Sequence, residues 1–556
     1  MLWFMRTISL VVLKFALILP CSCAIVATQS PQVDHSTWME ENFKIAGTVV
    51  SSLTGTPLNK TRISLTDTTN RENTISVLTA EDGRFAFSSL KRGKYSLAGV
   101  KSGFLPAGYE QHEEFSTAIV TGAEFNTENL VLRLTPLAMI TGKVFDETGA
   151  PVRKAQVRLF IDNQQGGRRR TVPIDAQSTD DEGYYEFAGL FPANYFFSVS
   201  ANPWYAVPSF SSAGNGYASP PSVPSSLDVA YPTTYNNGAT DSQGASPISV
   251  QGGDHLQVDV HLSPVPVLHL IFRIPQDEQQ GMNMPAFEKR VFDSAEYVPV
   301  QGQQISPGIY ELSGVPAGKY TVRFTDPKGQ AQQSSEMNLL KEGQELDVTH
   351  GEPGATFKMS MKMPLREPPS QQVNIALQDS HQQIVAFKPI DAAGEVEFQD
   401  LPSGKYGILA FSLSRRYAVA RTISGGIETT GHDIIAVPGS SVAVTVILAL
   451  GVVNIEGFVK RGDNPSSGVM VALVPHDPQS HLEMFRRDQS DSDGSFVLSA
   501  VTPGHYTLIA VEDAWGFQWQ QPDVLNRYLQ HGQKIIIGEL MTRTVHLPEP
   551  LQVQPR

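Results

Sequence analysis

The chain has 556 residues, of which 41% are hydrophobic and 9% aromatic, and a formal net charge of -14. That length exceeds what one hydrophobic core sustains, and the apolar content excludes wholesale disorder. An acidic chain without clustered cations also excludes nucleic acid as a partner, because neutralising phosphates takes Lys and Arg gathered on one face.

The N-terminus carries Arg6, an apolar stretch from Ile8 to Leu19 broken by Lys14, then Pro20 and small residues up to Ala27. This reads as a secretory signal peptide over residues 1–27, cleaved after Ala24 or Ala27. It is too short for a membrane anchor, which takes about 20 apolar residues, and no stable membrane span is expected later. Losing Arg6 and Lys14 with the leader takes the charge from -14 to -16. Both cysteines, Cys21 and Cys23, fall in the leader, so no disulfide is expected afterwards. Export without disulfides suits a bacterial envelope: periplasm, cell surface or secretion.

From residue 42 onward the dominant feature is repetition. Gly83, Gly183, Gly308, Gly394 and Gly494 each start an ungapped pattern. Apolar residues follow at offsets two, four and seven (Phe85, Phe87 and Leu90 in the first copy), and a tyrosine always at twelve: Tyr95, Tyr195, Tyr320, Tyr406, Tyr506. Alternating apolar residues mark one face of a strand, and the tyrosine opens a second strand, so the block is expected to form adjacent strands with buried tyrosine rings. Acidic or small residues before Gly83, Gly183 and Gly494 mark a turn. Upstream, Ile45 to Val49, Ile140 to Val144 and Ile455 to Val459 read as opening strands with glycine at the third position. Units three and four lack that motif; their first strands are placed at Val267 to Phe272 and Val373 to Leu377. Each unit ends in a closing run such as Leu130 to Leu134, Leu256 to Leu262 or Val442 to Leu450.

Short strands punctuated by turns predict an all-β chain: a tandem array of five Ig-like/transthyretin-like β-sandwich domains. The expected spans are 43–135, 137–263 with a Pro/Ser/Tyr-rich insertion at 202–245, 264–364, 365–450 and 451–550. The insertion reads as a semi-ordered surface loop.

The pattern resembles the carboxypeptidase regulatory-like domain. The opening apolar-x-Gly-x-Val, the Gly-x-Pro turn, Asp/Glu-Gly-x-Phe-x-Phe and Leu-x-x-Gly-x-Tyr carry the resemblance, which is specific in units one, two and five and partial in three and four. It implies a seven-stranded transthyretin-like sandwich related to carbohydrate-binding and Cna-B-type modules, used as an add-on without catalytic residues.

Motifs for catalysis are missing: there is no His-Glu-x-x-His and no Gly-x-Ser-x-Gly. Asp488 to Gly494 looks like a calcium loop, but Gln489 and Ala500 would occupy the first and twelfth ligand positions, so its acids are read as turn formers. Arg461-Gly462-Asp463 stands where other units have a hairpin turn, and Arg168 to Arg170 reads as a solvated loop. No metal site and no cofactor are expected. Twenty-one residues after the anchor stand Phe104, Trp204 and Trp515, with Tyr205 beside the second and Trp519 beyond the third. They are either plugs of the sandwich end or a stacking platform, for which Trp204, Tyr205, Trp515 and Trp519 are the candidate ligand-binding residues. The chain therefore reads as an exported, non-enzymatic binding module whose partner is a glycan or an envelope protein. The alternatives are a structural spacer or scaffold in the envelope, or an accessory module of a separately encoded peptidase or transporter.

Overall fold

The computed structural model describes residues 42–163, 169–207, 226–273, 284–325, 331–346, 354–362, 373–379, 384–412, 416–430, 432–478, 481–518, 521–539, 541 and 544–556. The leader, Arg168, the middle of the insertion and Trp519 lie outside them. The chain is all-β, an array of five sandwiches, and one helix, Pro522–Leu529, is described.

The first sandwich sets the pattern. Strands Arg84–Leu90, Phe43–Ser51 and Leu130–Leu134 form one sheet. Thr74–Leu78, Arg62–Asp67 and Gly93–Val100 form the other, extended by Ala107–Gly108 and Ile119–Thr121. Alternation turns Ile45, Val49, Phe85 and Phe87 inward from one sheet to meet Ile63, Leu65 and Leu97 from the other. Equivalent cores form around Phe187 and Phe197, Phe272 and Phe287, Phe357 and Phe398, and Phe496 and Leu508. In every sandwich the opening strand pairs antiparallel with the aromatic strand and parallel with the closing one.

The spacing of the repeat follows from three local devices. Each anchor glycine has positive φ, from 72° at Gly183 to 79° at Gly394 and Gly494. A Cβ on Gly83 would also stand 2.7 Å from the Val49 carbonyl, so both dihedral and space demand glycine. Six residues after each anchor the backbone again turns to positive φ, at Ser89, Gly189, Gly314, Asp400 and Ala500. The strand register slips there. This bulge shifts the alternation by one, which is why the third inward residue sits at offset seven rather than six. Finally, each tyrosine hydroxyl donates to the carbonyl four residues upstream: Lys91 at 3.0 Å, Phe191 at 2.8 Å, and Pro316, Pro402 and Thr502 at 2.7 Å. The five rings are buried, with exposures of 8% or less. The arrangement is a tyrosine corner, which pins the crossing between sheets.

That crossing corrects one expectation. In the first three sandwiches the two strands of the repeat block are consecutive but lie in opposite sheets: Arg84–Leu90 bonds to Phe43–Ser51, and Gly93–Val100 bonds to Arg62–Asp67. In the fourth and fifth they again bond to different partners, but further strands join both halves into one nine-stranded sheet. A short Leu-x-x-Gly link carries the chain over the sandwich edge instead of folding a hairpin. A second correction concerns the fourth unit. Its opening strand is Ala355–Lys362, which pairs with Glu395–Leu401 and Ser441–Gly451, while Asn374–Gln378 is its second strand. Phe357, Met359 and Met361 fill the fourth core rather than the third, so the third unit ends before them.

The second half of the insertion is not a surface loop. Val229–Ala230 pairs with Val265–Arg273 of the third sandwich, and Thr234–Tyr235 pairs with Ala193–Ser200 of the second. Tyr235 is buried with Phe160, Phe196 and Val291 in a cluster between the two sandwiches. The tyrosines supply the apolar area that orders this strap.

Candidate functional site at the rim of the second sandwich

Leaving strand Ala193–Ser200, the chain makes a turn in which the Ala206 amide donates to the Pro203 carbonyl at 3.1 Å. Pro203 is buried and Trp204 is pushed outward, 87% exposed. Its ring meets Tyr205 edge to face, centroids 5.7 Å apart at 90°. Tyr205 is fixed through Glu147: the Tyr205 hydroxyl donates to one carboxylate oxygen and Tyr231 to the other at 2.9 Å. Glu147 itself sits in a turn held by Asp146, whose carboxylate accepts from the amides of Thr148 and Ala150, both at 2.8 Å. The Tyr205 phenol, chiefly, holds the Glu147 carboxyl below its usual range, and Glu147 in return raises the phenol.

Tyr231 also lines a cleft of about 490 Å³ between the second and third sandwiches. Lys154, Arg158 and Asn202 face it from one side, Lys289, Glu296 and Tyr297 from the other. Arg158 and Glu296 pair across it at 3.1 Å, with Ser198 donating to the same carboxylate oxygen at 3.1 Å. Burial pushes the Lys289 amine down, and its hydrogen bond to the Thr240 carbonyl, at 2.9 Å, ties it to the strap. The rim thus joins an open indole face to a polar cleft through Tyr205, Glu147 and Tyr231. Aromatic faces with convergent polar groups suit a ligand that has both apolar faces and many hydroxyls.

Trp515 has the opposite fate, and its candidacy as an open platform is corrected. It is 9% exposed, with His112 of the first sandwich stacked on it at 5.2 Å and 5° and Phe115 at 5.5 Å. Phe104 is half-buried on the first core. Equal register therefore yields a plug, a free ring and a contact between sandwiches. Trp519 lies outside the described residues.

The loop resembling a calcium site is used in that same contact. Asp491 pairs with Lys94 at 2.8 Å and accepts the Ala118 amide at 2.9 Å; Ser492 accepts the Val120 amide at 2.8 Å and donates its own to the Ala118 carbonyl at 3.0 Å. Gln489 adds bonds to the Glu110 carbonyl and Thr117, and Arg487 pairs with Glu113 at 2.8 Å. Burial raises the Asp491 carboxyl, with Lys94 opposing. Sequence reasoning took these acids as turn formers, which they also are: the Gly494 amide donates to the Asp491 carbonyl. It missed Glu147 and the docking role of this loop, because neither has a spacing signature. One group of His and carboxylate side chains among the described residues is gathered closely enough to hold a metal ion: His432, His481 and Glu483.

Residues 44–133 match the carboxypeptidase regulatory-like domain family. Residues 450–537 match the second beta sandwich domain of the BOS complex subunit NOMO1-like family. No curated protein matches the chain in sequence. Among solved structures, the Bacillus anthracis TIE protein is 10% identical over 74% of this chain and 75% of its own, with a TM-score of 0.17. The streptococcal ancillary pilin is 14% identical over 51% of this chain and all of its own, TM-score 0.19. GBS52, the minor pilin of Streptococcus agalactiae, is 11% identical over 40% and 96%, TM-score 0.21.

Proposed function

We propose that this chain, a repeat protein of carboxypeptidase regulatory-like β-sandwiches, is an exported, non-enzymatic binding module that takes carbohydrate on the rim of its second sandwich. The observation that carries this reading is Trp204, 87% exposed on a turn whose neighbour Tyr205 is fixed by Glu147. A large ring left in water on a braced loop costs solubility without adding to the core, and stacking on a sugar face is the use that fits it. Asn202, Lys154 and Arg158 in the adjoining cleft would supply hydrogen bonds to hydroxyls. Binding is proposed at one rim, since Trp515 is covered by His112.

The test is a glycan-array screen of the chain without residues 1–27, followed by titration of the best ligand. Trp204→Ala should weaken binding by about tenfold or more, roughly 1.4 kcal/mol, and leave the melting temperature unchanged because the ring buries little. Binding that survives the substitution would end the stacking reading. A scaffold that contacts envelope proteins is the second reading. It is favoured by the fourth sandwich, where Ile384, Val385, Phe387 and Phe411 stand 57%, 47%, 50% and 38% exposed on the two strands that flank Asn374–Gln378. A wild-type chain that binds no glycan would favour it.

A further inference from the structure

We infer that His432, His481 and Glu483 form a site for a late first-row divalent metal ion, zinc above all, joining the fourth sandwich to the fifth. One ligand atom from each lies within 4.8 Å of the others. His432 belongs to the fourth sandwich, just before strand Asp433–Ala436. Its backbone is pinned, because the Ile408 amide donates to its carbonyl at 2.8 Å, and its ring packs on Gly407. His481 and Glu483 belong to the fifth sandwich, the first just before and the second on the 3-10 turn Leu482–Met484. There the Met484 amide donates to the His481 carbonyl at 3.1 Å, and Arg486 donates to the Glu483 carbonyl at 2.7 Å. Both sides of the pair are therefore held by backbone bonds, and the side chains converge from two separate folding units.

The second observation concerns what these side chains bond to. The Nδ1 atoms of His432 and His481 and both carboxylate oxygens of Glu483 are buried without a hydrogen-bond partner. Buried polar atoms almost always find partners, so each exception asks for an explanation. Four such atoms on three neighbouring residues share one explanation if a cation sits among them. A plain ion pair is a poorer account: His481 Nδ1 and Glu483 Oε1 are 3.5 Å apart, longer than a well-formed bond, and the Nδ1 of His432, whose Nε2 faces Asp433 at 3.8 Å, would still lack a partner.

The donor set selects the metal class. Two imidazoles and a carboxylate suit zinc and its late first-row neighbours, whereas calcium and magnesium call for a shell of oxygens. Ligand bonds of about 2.0–2.2 Å place neighbouring donors about 3.4 Å apart, so small side-chain rotations would close the set. Three protein ligands leave a fourth position for water. Because the ligands come from two sandwiches, occupancy would strengthen the contact between the fourth and fifth domains. No motif announces this site: His432 is distant in sequence from the other two, and His-x-Glu is not a familiar zinc spacing.

The experiment is titration of the chelator-treated full chain with Zn²⁺ by calorimetry, in parallel with Ca²⁺ and Mg²⁺. The expected result is one equivalent of zinc bound, no saturable response to the other two, and a higher melting temperature with zinc. His432→Ala and Glu483→Gln should each lower zinc affinity by tenfold or more. Glu483→Gln preserves size and shape, which guards against a variant that fails to fold. Co²⁺ offers a second readout, as visible absorption of a low-coordinate ion that His481→Ala abolishes. Failure of the wild type to bind one equivalent, or binding unchanged in both His432→Ala and Glu483→Gln, would overturn the site.

Discussion

Each of the five repeat tyrosines spends its hydroxyl on a carbonyl four residues upstream, so the ring is both core and clamp. Tyr320 buries 97% of its surface and has Pro316 as its acceptor. Tyr320→Phe keeps the packing but leaves that carbonyl short of a partner, and should cost about 1–2 kcal/mol in chemical denaturation. An unchanged midpoint would mean the corner is incidental to stability. The tyrosine was legible in the sequence because its bond geometry fixes both ends of the link and tolerates no insertion. Its companion, the bulge residue at offset six, was not: Ser89, Asp400 and Ala500 adopt positive φ without being glycine, imposed by the surrounding strands. Trp204 and Trp515 show the same limit from another side. Sequence set their register, but whether a ring is free or covered depends on which sandwich comes to rest against it.

At the scale of elements, the strap formed by the end of the insertion is locked by a buried histidine. His269 on strand Val265–Arg273 bonds through Nε2 to Asp228 and through Nδ1 to Glu311, both at 2.7 Å. Burial alone would lower its pKa, but the hydrogen bonds to Asp228 and Glu311 prevail and hold it above the ordinary value. The folded chain then keeps a proton that the unfolded chain releases near pH 6.5. This contribution is full below about pH 6.5 and is lost as pH rises through the folded value. The stability of the second and third sandwiches should therefore fall as pH rises above about 6.5 in the wild type, and the slope should vanish in His269→Leu. At pH 6 that variant should lose about 3–5 kcal/mol, since it strands two buried acids. A pH profile identical in both proteins would contradict the clamp. Composition marked this insertion as unusual, yet its partner strand lies in the next sandwich, and pairing between units leaves no periodic trace in either one.

For the whole molecule, the contact between the first and fifth sandwiches is the least expected feature. A repeat count foretells similar units and says nothing about which units touch. The turn at Asp491 is one of four closed by the same anchor-glycine bond, and its neighbours Gln489, Ser492 and Arg487 convert it into a docking edge. Lys94→Glu would set two partly buried acids against each other. The variant should release the first sandwich from the fifth, seen as a larger radius of gyration in X-ray scattering with unchanged circular dichroism. An unchanged radius would show that the His112–Trp515 stack suffices. The parallel pairing of first and last strands has a mechanical corollary. Tension applied to the two ends of a sandwich pulls such strands past one another, so their bonds bear the load together instead of opening one by one. In the fourth sandwich this seam runs from Thr356 beside Ser441 to Lys362 beside Ile447. In the first it is shorter, from Gly47 beside Leu130 to Ser51 beside Leu134. A stretched chain would yield at the first sandwich before the fourth.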